Sequence, residues 1–246
     1  MSEHTATAAA SPQLSFAQKH HFLLRRLHSL TGVLPIGVFL IEHLFTNSAI
    51  VRGDGEFQHD IDFIYNLPAL QMMEIFGIWL PIAFHAILGV VYVFSGKPNV
   101  TSYGYQANWR YSLMRITGMI GVFYIFFHVA TTRWRWNIAG WYTPFHHEIA
   151  AESTAYAVQF AWPLVVIFYL IGSLALVYHF ANGLWTFAIT WGLTVTENAQ
   201  RRWGWVCLGL GLLLTAASLA SIYGFATYEL PEGFHPDQAV KAVEGH

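Results

Sequence analysis

Charge is what this sequence has least of. Asp, Glu, Lys and Arg make up 11% of its 246 residues, under half of the roughly 25% found in an average soluble domain. So sparse a charge cannot coat a globule of this size. Part of the surface must therefore face lipid, in line with a mean hydropathy of +0.41. With a net charge of −2 and a pI near 6.7, the composition excludes a disordered chain, a collagen and a nucleic-acid binder. No polybasic surface is available for a partner. Cysteine is almost missing. Cys207 alone cannot form an internal disulfide, a thiolate zinc site or an iron–sulfur cluster, and there is no C-x-x-C-H for covalent attachment of a haem. Residues 1–18, rich in Ala and Ser, lack a basic stretch followed by an apolar run and do not read as a secretory signal.

What is present is a series of long apolar stretches, each long enough to cross a bilayer. They cover residues 27–51, 67–95 and 112–132, a fourth beginning near 156, and 203–225. The expected fold is an all-α membrane protein with five transmembrane helices in one domain, 19–225, between polar tails 1–18 and 226–246. The fourth stretch is charge-free from Ser153 to Thr196, too long for one simple span. It is expected to leave the hydrocarbon near Asn182-Gly183 and continue as an interfacial segment with Trp185, Phe187 and Trp191. No internal repeat stands out. Placing the N-terminus inside puts Lys19, Arg25, Arg26, Lys97, Arg110, Arg115, Arg201 and Arg202 inside and only Arg52, Arg133, Arg135 and Lys241 outside. The expected location is the cytoplasmic membrane, with a cytoplasmic N-terminus and the C-terminus outside.

Histidine is the unusual abundance: 13, against 12 Lys and Arg together. Four lie deep, one on each of the first four spans: His43, His85, His128 and His179. Polar side chains in hydrocarbon are costly and usually functional. At 1.5 Å per residue, and with alternating helix direction, His43 and His128 fall in the outer half and His85 and His179 in the inner half. Two pairs at two depths describe two b-type haems in a four-helix bundle, with the fifth helix outside it. Gly121 and Gly172, each seven residues before a deep His, together with Gly32 and Gly89, could give a porphyrin room beside a helix or simply let helices pack. His28 suits the interface or a propionate; His20, His21, His146 and His147 read as solvated.

These histidines sit in long motifs: RRLHSLTGVLPIGVFLIEHL (25–44), LPIAFHAILGVVY (80–92), NWRYSLMRITGMIGVFYIFFHVATTR (108–133) and YHFANGLWTFAITWGLTVT (178–196). Together they resemble the di-haem cytochrome b membrane anchors of succinate:quinone oxidoreductases, in particular the single-subunit, five-helix Bacillus type. The resemblance runs from about residue 19 to 205. It omits both tails and the loop at 133–152. It implies axial ligation of a proximal (inner) haem b by His85 and His179 and of a distal (outer) one by His43 and His128. It also implies two soluble partners, a flavoprotein carrying FAD and an iron–sulfur subunit, docked at the cytoplasmic face. Succinate would be oxidised on the flavoprotein, so no catalytic residue for it is sought in this chain. Electrons would reach a quinone, usually menaquinone, near the distal haem. Related fumarate reductases run the same parts in reverse.

Haem propionates need donors. Arg25, Arg26, Ser29 and Arg115 are candidates at the inner edge, and Arg133 and Arg135 at the outer edge. Each Arg could equally serve lipid headgroups. Quinone reduction needs protons, for which Glu74 and Asp60 are candidates, with Glu42 and Asp62 nearby. Some di-haem fumarate reductases carry a proton-conducting Glu two residues before the inner ligand of the fourth helix. Val177 occupies that position here, so no transmembrane proton route is expected. The alternatives are another dehydrogenase's di-haem anchor, a transporter with histidine proton relays, and an anchor without haem. The bc-type pattern, two ligands about fourteen residues apart on each of two helices, is not met. Only Glu42 and Glu74 are available as the carboxylates a proton relay would need.

Overall fold

A computed structural model describes residues 19–96, 106–138, 140–141 and 145–244. The expected tail 1–18 and Lys97 lie outside these. Five helices are long and apolar enough to span a membrane: α1 (His21–Arg52), α3 (Leu70–Ser95), α4 (Asn108–Thr131 of a helix beginning at Gln106), α6 (Leu164–Thr190) and α7 (Glu197–Ala226). Short helices α2 (Asp54–Tyr65), α5 (Ala150–Gln159) and α8 (Pro236–Glu244) lie between or after them. The chain is a multi-pass helical membrane protein. The end of the bundle where α1 begins is here called inner, and the opposite end outer.

Prolines shape two of the spans. Pro35 divides α1 into His21–Val33 and Pro35–Ser48. Pro81 cannot donate to the carbonyl four residues earlier, and the helix just before it, Glu74–Trp79, widens into π-helical turns. A third proline moves the start of the fourth span, expected near 156, to Leu164. Helix α5 ends at Gln159, and α6 starts afresh at Leu164 behind Pro163. It then runs unbroken through Asn182-Gly183 to Thr190. The break therefore falls at the proline, where the ring removes a donor and constrains the residue before it. Thr196 opens α7 by accepting the Ala199 amide at 3.2 Å, with Glu197 in the first turn.

Helices α1, α3, α4 and α6 form the four-helix bundle, and α7 packs outside it along α6 and α1. Leu44, Val177, Phe180, Leu214 and Ala217 form the seam between α1, α6 and α7. The larger buried cluster caps the outer end, where Phe57 and Ile61 of α2 meet Ala151, Ala155 and Val158 of α5 and Ile222 and Phe225 of α7. The expected C-terminal tail is thus partly structured, with α8 packed against α5 and the turn at His147–Ile149.

Candidate metal centres

The helix register places the four histidines in a simple pattern. His85 and His179 each lie 15 residues past the start of their helices, Leu70 and Leu164. His43 and His128 each lie 22 residues past theirs, His21 and Gln106. Antiparallel packing turns this register into two facing pairs. The rings of His85 and His179 have centroids 6.0 Å apart with planes at 88°. Those of His43 and His128 are also 6.0 Å apart, at 70°. Two imidazoles each presenting one nitrogen to a shared metal at about 2.0–2.1 Å, the zinc–imidazole distance, end with centroids about 6 Å apart. No group of three or more His, Cys, Asp or Glu suited to a metal occurs among the described residues. The four deep histidines thus stand as two separate facing pairs.

At the inner pair, His85 Nδ1 lies 2.9 Å from the carbonyl oxygen of His28, and His179 Nδ1 lies 3.1 Å from that of Met114. A carbonyl only accepts, so each Nδ1 carries the proton and each Nε2 keeps its lone pair for a metal. Glycines permit this closeness. A Cβ on Gly32 would sit 2.5 Å from His85 Cε1, and one on Gly118 would sit 2.8 Å from His179 Cε1. Gly121 and Gly172 do different work. Their added Cβ atoms would meet Leu176 and Tyr124, so they let α4 and α6 approach.

Buried polar atoms without a partner gather near this end: Arg26 Nε, His28 Nδ1, Tyr92 Oη and Ser112 Oγ. A group bearing carboxylates would use such donors, and haem b fits both this set and the two ring pairs. The proposed propionate residues have protein contacts as well. Arg25 lies over the Tyr92 ring, and Arg26 over Phe22 and Trp191. Ser29 Oγ accepts from Trp191 Nε1 at 3.1 Å. Arg115 donates to Tyr111 Oη and to the Gly96 carbonyl. Arg110 was not singled out from the sequence, yet it stacks 3.8 Å over Trp185 and donates to Asn182 Oδ1.

The outer pair rests on side chains. His128 Nδ1 meets Tyr169 Oη at 3.2 Å, and Tyr124 stacks nearly parallel to the His128 ring. Asn47 donates to the His43 carbonyl at 2.7 Å and reaches His43 Nδ1 only at 3.5 Å.

Of the quinone candidates, Glu74 lies in a cleft of about 560 Å³ lined by Leu70, Gln71, Ile75, Trp79, Arg133 and Trp134. Arg133 pairs with Glu74 at 3.0 Å. Asp60 does not line this cleft; it contacts Arg52 at 4.0 Å and His59. Arg135 turns to the Phe145 carbonyl and to His146. His146, expected to be solvated, is buried at 6% exposure, and burial pushes its pKa below the usual value. Next to it, His147 stacks on Tyr65.

A multi-pass helical membrane protein with two facing histidine pairs, the inner one tautomer-ordered by main-chain carbonyls, has the build of a membrane cytochrome b. No family model matches the chain. It is, however, 39% identical over 206 residues to the succinate dehydrogenase cytochrome b558 subunit of Bacillus subtilis (strain 168), covering 83% of this chain and 96% of that one. The chain belongs to the cytochrome b subunits of succinate dehydrogenase, the Bacillus-type anchors of succinate:quinone oxidoreductase.

Proposed function

We propose that this chain anchors the soluble flavoprotein and iron–sulfur subunits at its inner face, which is cytoplasmic, and relays electrons through two b haems to a quinone, menaquinone in the first instance. His85 and His179 hold the inner haem, and His43 and His128 the outer one. The observation that carries this is the two facing imidazole pairs at two depths. Haem supplies a reversible one-electron couple, and two at different depths divide a bilayer about 30 Å thick into shorter steps. The chain's own residues orient the imidazoles, keep Nδ1 protonated and exclude water from both pairs.

The quinone headgroup is placed in the outer cleft. Arg133 offers donors to a carbonyl oxygen that gains negative charge, Glu74 is the nearby proton carrier, and Trp79 and Trp134 supply flat walls. π-helical turns such as those at Glu74–Trp79 recur at functional sites.

A reduced-minus-oxidised spectrum with haem quantitation tests the first claim. Two b haems per chain are expected, and none would end it. Glu74→Gln tests the cleft. It is expected to slow succinate:quinone turnover at least tenfold with both haems retained and still reducible by succinate. Full quinone turnover in this variant would move the site elsewhere.

A further inference from the structure

The two inner ligands are held by one device used twice. On α1, Leu27-His28-Ser29-Leu30-Thr31-Gly32 matches Leu113-Met114-Arg115-Ile116-Thr117-Gly118 on α4 at Leu, Thr and Gly. Thr31 Oγ1 donates to the carbonyls of Leu27 and His28, and Thr117 Oγ1 to those of Leu113 and Met114. The carbonyls of His28 and Met114 are also the ones that accept the ligand Nδ1 protons. Each ligand lies on the glycine ending the opposite hexapeptide, His85 on Gly32 and His179 on Gly118. The contact is reciprocal. Gly89, four residues after His85, faces the His28 ring, and Gly183, four after His179, faces Met114 Cε. An i, i+4 spacing puts ligand and glycine on one helix face, so each helix pair closes as side chain on glycine in both directions.

The two hexapeptides differ at their second, third and fourth residues, and the second residue is the one whose carbonyl holds the ligand. Where the second copy has the Met114 thioether, the first has the His28 imidazole. That ring stacks on His85 at 3.9 Å and 12°. Building on the haem assignment above, we propose that residues 19–96 and 106–190 form a structural repeat in which His28 and Met114 are equivalent positioning residues of the inner haem. Their main-chain carbonyls fix the tautomer and direction of the axial imidazoles. The imidazole of His28, packed flat against one ligand only, tunes the inner haem's potential. His28 is assigned a positioning role and not that of a ligand: its carbonyl holds His85 Nδ1 and its ring lies flat against that imidazole.

The test uses the assembled complex, with haem quantitation, potentiometric titration and electron paramagnetic resonance of the two low-spin haems. His28→Met makes the first copy like the second, and Met114→His makes the second like the first. Both are expected to keep two haems per chain and to shift the inner haem's midpoint and g-values, in opposite senses, with the outer haem unmoved. The carbonyl contacts are main-chain and survive both changes. An unmoved inner haem in both variants, or equal movement of both haems, would overturn the proposal. So would loss of a haem from either variant. Wild-type complex with fewer than two haems would instead sink the assignment on which it rests.

Discussion

His85 and His179 give their Nδ1 protons to main-chain carbonyls, whereas His43 and His128 lean on Asn47, Tyr169 and Tyr124. The two sites share a ring separation of 6.0 Å but not the means of holding it. A main-chain carbonyl moves only with its helix, so the inner geometry is tied to how α1 meets α3 and α4 meets α6. A side-chain partner can be exchanged without moving a helix. The inner site is therefore sensitive to helix approach, and the outer to single side chains. This bears on tuning, because the partner of the distal imidazole nitrogen sets ligand basicity.

The largest effect is expected from removing ligands. His85→Ala should abolish the inner haem and His43→Ala the outer one, each leaving about one haem per chain. Spectra and haem assays of purified membranes would show this. Loss of both haems from each variant would mean that the sites do not form independently.

Next in size is the glycine contrast. Gly118→Ala drives a methyl to 2.8 Å from His179 Cε1, against a ring pinned by the Met114 carbonyl. Overpacking of this kind costs roughly 1–3 kcal/mol, and the inner haem should be depleted or shifted. Gly121→Ala, three residues on, meets only the end of the flexible Leu176 side chain and should leave both haems bound. Equal behaviour of the two variants in haem content would remove the distinction between ligand seat and packing contact.

Tyr169→Phe is the matching probe of the outer site. It preserves the shape of a buried residue and deletes the hydroxyl at His128 Nδ1. One such hydrogen bond contributes about 0.5–1.5 kcal/mol. The outer haem's midpoint should move and its retention weaken, while the inner haem stays as it is. A shift confined to the inner haem in redox titration would reverse the assignment.

The spans and the depth of the four histidines were legible because a bilayer imposes length and polarity rules that one sequence obeys locally. The pairing followed from helix direction alone. The holders of the rings were less visible, since they depend on which helix faces which. Gly32 reads from the sequence only as room beside a helix or a packing contact, yet it seats His85 on α3. The shared Leu-x-x-Leu/Ile-Thr-Gly pattern at 27–32 and 113–118 was present but short, and only the common carbonyl contacts give it meaning. Pro163 was the missed local signal. It divides the long apolar stretch and sets the start of the fourth span at Leu164, where 156 had been expected.

The smallest effect expected is one of pH, and it separates the two ends of the molecule once more. His146 is buried against Arg135, whose guanidinium lies 3.3 Å from its Nδ1, and faces Asp237 of α8 at 3.8 Å. Burial first, then Arg135, lowers its pKa below the usual value near 6.5. The unfolded or undocked segment therefore binds the proton more readily than the folded one. This contribution to stability is complete above about pH 6.5 and declines as the pH falls toward the lowered folded value. Two hydrogen bonds link this loop to the outer site. The Phe145 amide donates to the Thr132 carbonyl, and Thr132 Oγ1 donates to the carbonyl of His128. The Nδ1 partners of His85 and His179 are, by contrast, carbonyls within helices. Acidification from pH 7.5 to 5.5 should thus open the C-terminal segment to proteolysis and broaden the outer haem's signal before the inner one changes. His146→Gln, which cannot take up the proton, should flatten that dependence. If the inner haem responds first, the loop does not couple to His128 and the contrast between the ends must rest on the hydrogen bonds alone.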